Sequence, residues 1–271
     1  MTTGSEWTSK VGGSWAREWE RTDRSFGALT ERLIEFACSA EFSHALDIGC
    51  GAGETSLLLA GCGSGRVTGI DISAELLSVA RTRGRGVPQL DFVEADAARW
   101  QLTTGRVDLV VSRHGVMFFD QPVSAFASLR NNAQAGSRLV FSCFRSRAEN
   151  EWVSILDGIV ESEKPVGEST APGPFAFGDR DHVAAILSDA GWRDIEFEPV
   201  DYAMVAGEGD DPLADALSYF LRIGPAARKV AELEGEAKQA ATARLAAVLQ
   251  SYLSNGKVAL PSAAWIVSAR S

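Results

Sequence analysis

Between residues 44 and 144, short apolar runs alternate with helical patterns, and this alternation constrains the fold more than any other feature. The apolar runs lie at 44–50, 66–71, 90–96, 107–115 and 137–144. Strands that alternate with helices at this spacing are typical of a parallel sheet. Because the crossovers are right-handed, the helices cover both faces. We therefore predict a doubly wound α/β sheet, whose ligands bind beyond the carboxyl ends of the strands.

Two later apolar runs, at 194–206 and 258–270, bring the predicted sheet to seven strands. The segments outside this rhythm are helical or rich in proline and glycine. They predict a helical cap, made of an N-terminal part at 1–40 and of insertions into the main domain (41–271) at about 146–178 and 207–255. The apolar stripe within the last of these favours core packing over a partner-binding face.

The charge balance excludes two classes of partner. With 26 Lys and Arg against 36 Asp and Glu, the chain of 271 residues has a formal net charge of −10. A chain without a basic surface is poorly suited to a nucleic-acid backbone or to an anionic membrane surface. No apolar run approaches the roughly 20 residues of a membrane span. We expect no nucleic-acid partner and no membrane insertion.

The cysteines are few and scattered, at 38, 50, 62 and 143, with no CxxC pair and no Cys/His cluster. This pattern predicts reduced cysteines, a cytoplasmic protein and no structural metal site. The first ten residues contain no apolar signal-peptide core.

A glycine-rich turn follows the first strand and begins a helix. Its residues are Asp47, Gly49, Gly51 and Gly53, followed by Glu54. Glycine allows a positive φ and a close approach of the backbone to a ligand. The dinucleotide-binding fingerprint would place glycine where Glu54 stands. A carboxylate there opposes a pyrophosphate at the helix N-terminus. Asp47, at the end of the strand, suits a cationic ligand better than a phosphate.

The D-x-G-x-G-x-G spacing resembles the first motif of class I S-adenosylmethionine-dependent methyltransferases. Asp71 ends the second strand and Asp96 ends the third, where carboxylates of this family contact the ribose and the adenine. The segment from Ser112 to Phe119 resembles the family's segment beside the sulfonium. The chain is most similar to small-molecule enzymes of the ubiquinone- and menaquinone-biosynthesis-like group. The resemblance implies a Rossmann-like sheet and S-adenosyl-L-methionine as the cofactor.

Carried over position by position, the resemblance implies one set of cofactor-binding residues. These are Asp47, Gly49, Cys50, Gly51, Gly53, Asp71, Ile72, Asp96, Ala97 and Arg113, with Trp19 as a further candidate.

Some of these residues also have an ordinary structural explanation. Asp71 alone could cap a helix, Asp96 could lie in a solvated turn, and Cys50 is better explained as a small packing residue than as a nucleophile. Arg113 could bind a substrate anion or pair with a carboxylate. Trp19, with the nearby Trp15, could form a lid over the sulfonium through cation–π contact, or could anchor a helix.

His114 is the candidate catalytic residue. It directly follows the fourth strand, at the edge of the sheet where a substrate would lie. A neutral imidazole there could take a proton from a hydroxyl, a thiol or an acidic carbon. The alternative is that His114 only packs beside the cofactor, because many methyl transfers need only proximity. Similar proteins often carry an aromatic residue at this position.

The sequence therefore predicts direct in-line transfer of a methyl group to a small, partly apolar molecule, without a metal. One alternative is a non-catalytic protein that binds the same cofactor, and a weaker one is an NAD(P)-dependent oxidoreductase. The sequence indicates neither the acceptor nor the oligomeric state.

Overall fold

A computed structural model of the protein describes residues 7–8, 10–159, 170–224, 227 and 230–271. Within these ranges, eight strands form one sheet in the order β3-β2-β1-β4-β5-β8-β6, and β7 pairs with β8. The strands are β1 (His44–Ile48), β2 (Arg66–Asp71), β3 (Leu90–Glu94), β4 (Val107–Arg113), β5 (Ala133–Phe144), β6 (Arg193–Gly207), β7 (Leu253–Ser254) and β8 (Lys257–Arg270). The seven predicted strands are all present, and the two-residue β7 is the addition.

The first five strands are parallel, whereas β8 runs antiparallel to both β5 and β6. The strand order reverses between β1 and β4, which lie side by side. The carboxyl ends of these two strands carry the glycine-rich turn and His114. A switch in strand order opens a crevice at that edge, so the fold brings both motifs to a ligand-binding position.

Nine helices of eight or more residues lie within the described ranges. They are α1 (Lys10–Arg17), α2 (Trp19–Ala37), α3 (Glu54–Gly61), α4 (Ala74–Arg83), α5 (Pro122–Asn132), α6 (Glu151–Ile159), α7 (Arg180–Asp189), α8 (Pro212–Phe220) and α9 (Gly235–Gln250). Two short 3₁₀ turns occur at Val116–Phe118 and Arg147–Glu149.

Local sequence explains where several of these elements begin. The hydroxyl of Ser73 accepts a hydrogen bond from the N–H of Leu76 and so caps α4. Asp179 caps α7 in the same way, and Pro122 occupies the first turn of α5. Pro261 lies within β8, beyond the last residue of β8 that pairs with β5. At this position β8 pairs with β6 alone, and such an edge position tolerates proline.

Helix α2 carries the apolar stripe that the sequence predicts between residues 26 and 37. Leu29, Leu33 and Ala37 are fully buried, and the helix packs against β6. The helix begins at Trp19, earlier than the apolar pattern indicates. Within residues 19–25, the side chains of Trp19, Thr22 and Asp23 lie at the ligand-binding edge of the sheet.

The remaining cap segments also form helices. Helix α6 comes from the insertion at 146–178, and α8 and α9 come from the insertion at 207–255; α9 packs on both α6 and α8. Leu245 and Leu249 are fully buried, as core packing of that stripe requires. Parts of the predicted cap lie outside the described residues, at 1–6, 9, 160–169, 225–226 and 228–229. The division into cap and main domain stays a prediction.

The prediction that the cysteines are reduced is wrong for two of the four. Cys38 and Cys62 form a disulfide that joins the ends of α2 and α3. The two residues are 24 positions apart, and only the packing of the two helices brings them together. The cytoplasmic localisation was inferred partly from reduced cysteines, so it stays a prediction with less support. Cys50 and Cys143 are free and buried.

None of the helices in the described ranges is long and apolar enough to span a membrane. Within the same ranges, no group of three or more His, Cys, Asp or Glu side chains is arranged to hold a metal ion.

Candidate active site

A cavity of about 640 Å³ lies along the carboxyl edge of the sheet. Its floor is formed by residues at or just after the ends of β1, β2, β3, β4 and β5, together with Met204 of β6. Helices α1, α2, α6 and α8 contribute to its remaining walls, with single residues or pairs from α3, α4 and α5. The volume is within the range of small-molecule and cofactor sites.

The glycine-rich turn forms one part of this wall. Gly49, Gly51 and Gly53 all have positive φ, at 65°, 54° and 87°. A Cβ on Gly49 would lie 2.9 Å from the Cα of Gly115, so this glycine is required by the close approach of two loops. A Cβ on Gly51 would meet no atom within 4 Å, and Gly51 lines the cavity. The absent side chain at Gly51 thus leaves space for a ligand.

Asp71 lies beside this turn and also faces the cavity. Its Oδ2 accepts a hydrogen bond from the N–H of Gly51 and its Oδ1 from the N–H of Ser73, both at 2.9 Å. A carboxylate offers about four acceptor positions, so two remain for a ligand. Burial raises the pKa of Asp71, although these backbone hydrogen bonds oppose the shift.

Other residues of the predicted cofactor set also line the cavity. Ile72 follows Asp71, and Asp96 and Ala97 lie beyond β3, where Asp96 Oδ1 accepts from the N–H of Ala98 at 3.0 Å. Cys50 lines the cavity with a buried thiol. Burial, followed by the charges of Asp71 and Asp47, raises the pKa of that thiol well above its usual value. A thiol held protonated is a packing group and a poor nucleophile.

Asp47 and Gly53 are not among the residues that line the cavity. Asp47 is only 1% exposed, and its Oδ2 accepts a hydrogen bond from the hydroxyl of Ser56 at 2.6 Å. Its Oδ1 is buried without a partner. Burial raises the pKa of Asp47 to about 6, against the opposing effects of Ser56 and the Arg113 charge. The Asp47 side chain therefore links the end of β1 to α3, and it does not face the cavity.

The sequence left open whether Arg113 binds a substrate anion or pairs with a carboxylate. In the structure, Arg113 pairs with carboxylates. Its guanidinium donates to Glu54 at the start of α3 and to Asp23 of α2, the latter at 3.3 Å. Asp23 also pairs with Arg83 at 2.8 Å, so two cations and two anions alternate. Burial lowers the pKa of Arg113, but the charges of Glu54 and Asp23 outweigh it and raise the pKa overall.

The N-terminal tryptophans close the cavity from outside. Trp7 packs against Trp15 and Phe118, with ring centroids 5.5 and 5.2 Å apart. The guanidinium of Arg83 lies 4.0 Å from the centroid of the Trp19 ring. Trp19 thus already makes a cation–π contact with a side chain of the protein, that of Arg83. All three tryptophans line the cavity, and contact of Trp15 and Trp19 with a sulfonium stays a prediction.

His114 has an unusual backbone and an unusual environment. Its φ is 61°, in the left-handed region that few non-glycine residues adopt. Its ring stacks on Phe144 with centroids 4.2 Å apart, and the edge of Phe26 lies 5.2 Å away. Both ring nitrogens are buried without a hydrogen-bond partner. Burial, followed by the Arg113 charge, lowers the pKa of His114 to about 3, so the ring is neutral near pH 7.

Several lining residues were missed from the sequence because they lie far from the recognisable motifs. Asp23, Phe26, Phe144 and Met204 all belong to this group. Trp152 and Tyr219 also line the cavity, and both are aromatic residues of the predicted cap. For Asp23 on α2, no local pattern separates a cavity residue from an ordinary charge on a helix surface.

Comparisons with known proteins agree with this geometry. Residues 46–141 match the family model of a methyltransferase domain. A demethylmenaquinone methyltransferase of Paenarthrobacter aurescens is 26% identical over 151 residues. This alignment covers 52% of the present chain and 58% of the relative. The chain thus spans less than two thirds of the length of this curated relative.

Solved structures share the fold at low identity. A candidate methyltransferase from Bacillus halodurans is 16% identical, with a TM-score of 0.58 over 90% of this chain and 99% of that one. Phosphoethanolamine N-methyltransferase 2 of Haemonchus contortus, solved with S-adenosyl-L-methionine, is also 16% identical, with a TM-score of 0.58 over 100% of this chain and 60% of that one. Residues 46–141 therefore carry a methyltransferase domain, within a fold that the chain shares with solved methyltransferases.

Proposed function

We propose that the protein transfers a methyl group from S-adenosyl-L-methionine to a small, partly apolar molecule. The observation that carries this proposal is one continuous cavity with two unlike parts. One part contains the glycine-rich turn, Asp71 and Asp96, and the other is walled by aromatic and aliphatic side chains. A donor and an acceptor could lie in these parts with their reacting atoms adjacent.

The donor part fits the chemical groups of the cofactor. The open space at Gly51 admits a ligand against the backbone, and the two spare acceptor positions of Asp71 suit the two hydroxyls of a ribose. Arg113 lines the same cavity and stays a proposed cofactor contact, with its guanidinium held in place by Glu54 and Asp23. We propose Asp96 and Ala97 as the contacts of the adenine.

The contribution of the chain to the reaction is mainly alignment and exclusion of water. When bound, the cofactor supplies a methyl group that is attached to a positively charged sulfur. As the methyl group moves to the acceptor atom, the sulfur keeps the electrons of the broken bond. Trp7, Trp15 and Phe118 close the cavity, which keeps water from competing for that methyl. Holding the acceptor atom in line behind the methyl group lowers the entropic part of the barrier.

His114 stays a candidate catalytic residue, with a role that its environment narrows. A group with a pKa of about 3 is a weak general base near pH 7. We therefore propose that the neutral ring hydrogen-bonds to the acceptor and orients it. If His114 only orients the acceptor, the pH dependence of the methyl-transfer rate near pH 6.5 should be the same in the wild type and in His114→Phe. A neutral-pH limb that is lost in the variant would instead establish His114 as the general base.

A ligand screen tests the proposal against its two alternatives. At 100 times its dissociation constant, S-adenosyl-L-methionine or S-adenosylhomocysteine should stabilise the protein by about 2.7 kcal/mol, which is roughly 5–10 °C in Tm. Stabilisation by NAD(H) alone would indicate an oxidoreductase. Tight binding of S-adenosyl-L-methionine without a methylated product, across a broad set of acceptors detected by mass spectrometry, would favour the non-catalytic alternative.

A further inference from the structure

Arg83, the last residue of α4, contacts three groups that wall the cavity, although Arg83 itself is not among the residues that line it. Its Nη1 donates a hydrogen bond to the carbonyl of Ala52 in the glycine-rich turn at 2.8 Å. Its Nη2 lies 2.8 Å from Oδ2 of Asp23, and its Cζ lies 4.0 Å from the centroid of the Trp19 ring. One side chain thus joins the turn between β1 and α3 to the beginning of α2.

The shape of a guanidinium suits these three contacts. It is planar, its N–H groups point outward from its edges, and its faces stack on aromatic rings. Oδ2 of Asp23 is buried without a hydrogen-bond partner, so its contact with Arg83 is one of charge alone. The side chains of Arg83 and Asp23 are only 18% and 13% exposed, so salt screens this pair less than a surface pair. A lysine ammonium is a compact charge without a flat face, so it cannot make all three contacts.

The N-terminal segment also contacts the opposite end of α4. Ser73 caps the start of that helix, and a Cβ on Gly12 of α1 would collide with the Ser73 hydroxyl. Glycine at position 12 thus allows α1 to approach the start of α4 closely, and the two helices pack against each other. The N-terminal segment therefore lies along α4, and at the far end of this helix Arg83 joins it to the glycine-rich turn.

An ordinary explanation of Arg83 is the electrostatics of the helix end. The last turn of α4 carries two cations, Arg81 and Arg83, and a cation there interacts favourably with the helix dipole. Arg81 is exposed and donates to the carbonyl of Phe92 in β3 at 3.3 Å. The two arginines therefore share the position at the helix end and differ in their contacts, which makes Arg81 a matched control.

We infer that Arg83 is a positioning residue that fastens the beginning of α2 to the glycine-rich turn, so that Trp19 and Asp23 stay in the cavity wall beside a ligand bound at Gly51. The inference rests on the proposed function for the identity of that ligand, S-adenosyl-L-methionine. It goes beyond that function because it gives a residue outside the cavity a role in retaining the ligand. When the fastening is lost, a smaller fraction of the molecules has a complete wall, and the apparent affinity falls by the same factor.

Arg83→Lys separates the two explanations, because it keeps the charge at the end of α4 and removes the planar group. In calorimetry the variant should bind S-adenosylhomocysteine about ten-fold more weakly than the wild type, which corresponds to a complete wall in about one tenth of the molecules. Arg81→Lys, the matched control, should bind it as the wild type does. If the charge at the helix end is the whole role of Arg83, both variants bind as the wild type does, and the inference is overturned.

Amide hydrogen exchange without ligand shows whether the beginning of α2 is released. In Arg83→Lys, residues 10–23 should exchange faster than in the wild type, whereas residues 24–37, which contain the buried stripe of α2, should exchange at the same rate. Arg81→Lys should match the wild type in both segments. Arg83→Gln keeps an amide donor for the Ala52 carbonyl and removes the charge, so it should give the same two results and decides the matter if Arg83→Lys does not fold.

Failure of this inference can be told apart from failure of the proposed function. S-adenosylhomocysteine is titrated into the wild type first, and the absence of its binding would overturn the proposed function. The exchange of residues 10–23 then decides alone whether Arg83 fastens α2. If the ligand binds the wild type and a folded Arg83→Lys equally, or if residues 10–23 exchange at the wild-type rate in that variant, the inference is wrong. It is also wrong if neither variant of Arg83 folds, because Arg83 then supports the fold as a whole.

Discussion

Replacing Asp47 by asparagine should remove a pH-dependent destabilisation of the native state. Asp47 is buried beneath the glycine-rich turn, and one of its oxygens has no partner. Its pKa is raised from 3.8 to about 6, mainly by burial. Since one pKa unit corresponds to 1.36 kcal/mol, ionised Asp47 costs the native state about 3 kcal/mol relative to the unfolded chain.

The sign follows from proton binding. Below pH 3.8 the carboxyl is protonated in both states, and Asp47 contributes no pH dependence. Between pH 3.8 and about 6 the unfolded chain loses the proton first, so the native state binds more protons and its stability falls as the pH rises. Above pH 6 the full cost is present. Asparagine resembles the protonated form, so Asp47→Asn should not show this fall.

Urea unfolding measures the effect as a difference between two proteins. The free energy of unfolding of Asp47→Asn, minus that of the wild type, should increase by about 2–3 kcal/mol between pH 4 and pH 7.5. Asp108 is the matched control. Burial raises its pKa, but hydrogen bonds from Ser43 and His44 outweigh this and lower the pKa overall. The effect of Asp108 on stability therefore changes mainly below about pH 4.5, and the difference for Asp108→Asn should stay nearly constant between about pH 4.5 and pH 7.5. A difference for Asp47→Asn that is constant with pH would refute the reasoning.

Three further substitutions test the candidate site and the fold. Asp71→Ala should weaken S-adenosylhomocysteine binding about ten- to a hundred-fold in calorimetry. It should also lower stability in urea unfolding, because the charged acceptor of two backbone N–H groups is lost. Asp91→Ala, which removes an exposed ion pair, should change neither the binding nor the stability. Gly51→Val should abolish that binding, whereas Gly86→Val, with a similar positive φ but no position in the cavity, should only lower Tm. Cys38→Ser should lower the free energy of unfolding by about 3 kcal/mol, and a reducing agent should do the same to the wild type but not to the variant.

The sheet could be predicted because each of its strands is indicated by a pattern of neighbouring residues in the sequence. The strands from 44 to 144 are short apolar runs between helices, and the structure places β1 to β5 over these runs. Glycines at the turn and a serine cap at α4 marked the boundaries. The recognition of a class I methyltransferase domain depended on the same segment and is confirmed by the match over residues 46–141.

The parts that could not be predicted depend on contacts between distant segments. Asp23 meets Arg113 across 90 positions, and Cys38 meets Cys62 only because two helices end side by side. No local pattern in the sequence encodes either pair. His114 was recognised as important from its place after β4, but its low pKa follows from burial against Phe26 and Phe144, which the sequence does not reveal.

Glu54 lies at the start of α3, where the sequence predicts that its carboxylate opposes a pyrophosphate. In the structure, Arg113 neutralises that carboxylate. The group that opposes a pyrophosphate is Asp71, because its carboxylate accepts from the N–H of Gly51, which a phosphate would otherwise use. A phosphate at Gly51 would thus meet a negative charge, whereas a ribose hydroxyl can donate to the same oxygens. We therefore expect the turn to favour a ribose over a pyrophosphate at Gly51, through a residue 17 positions after Glu54.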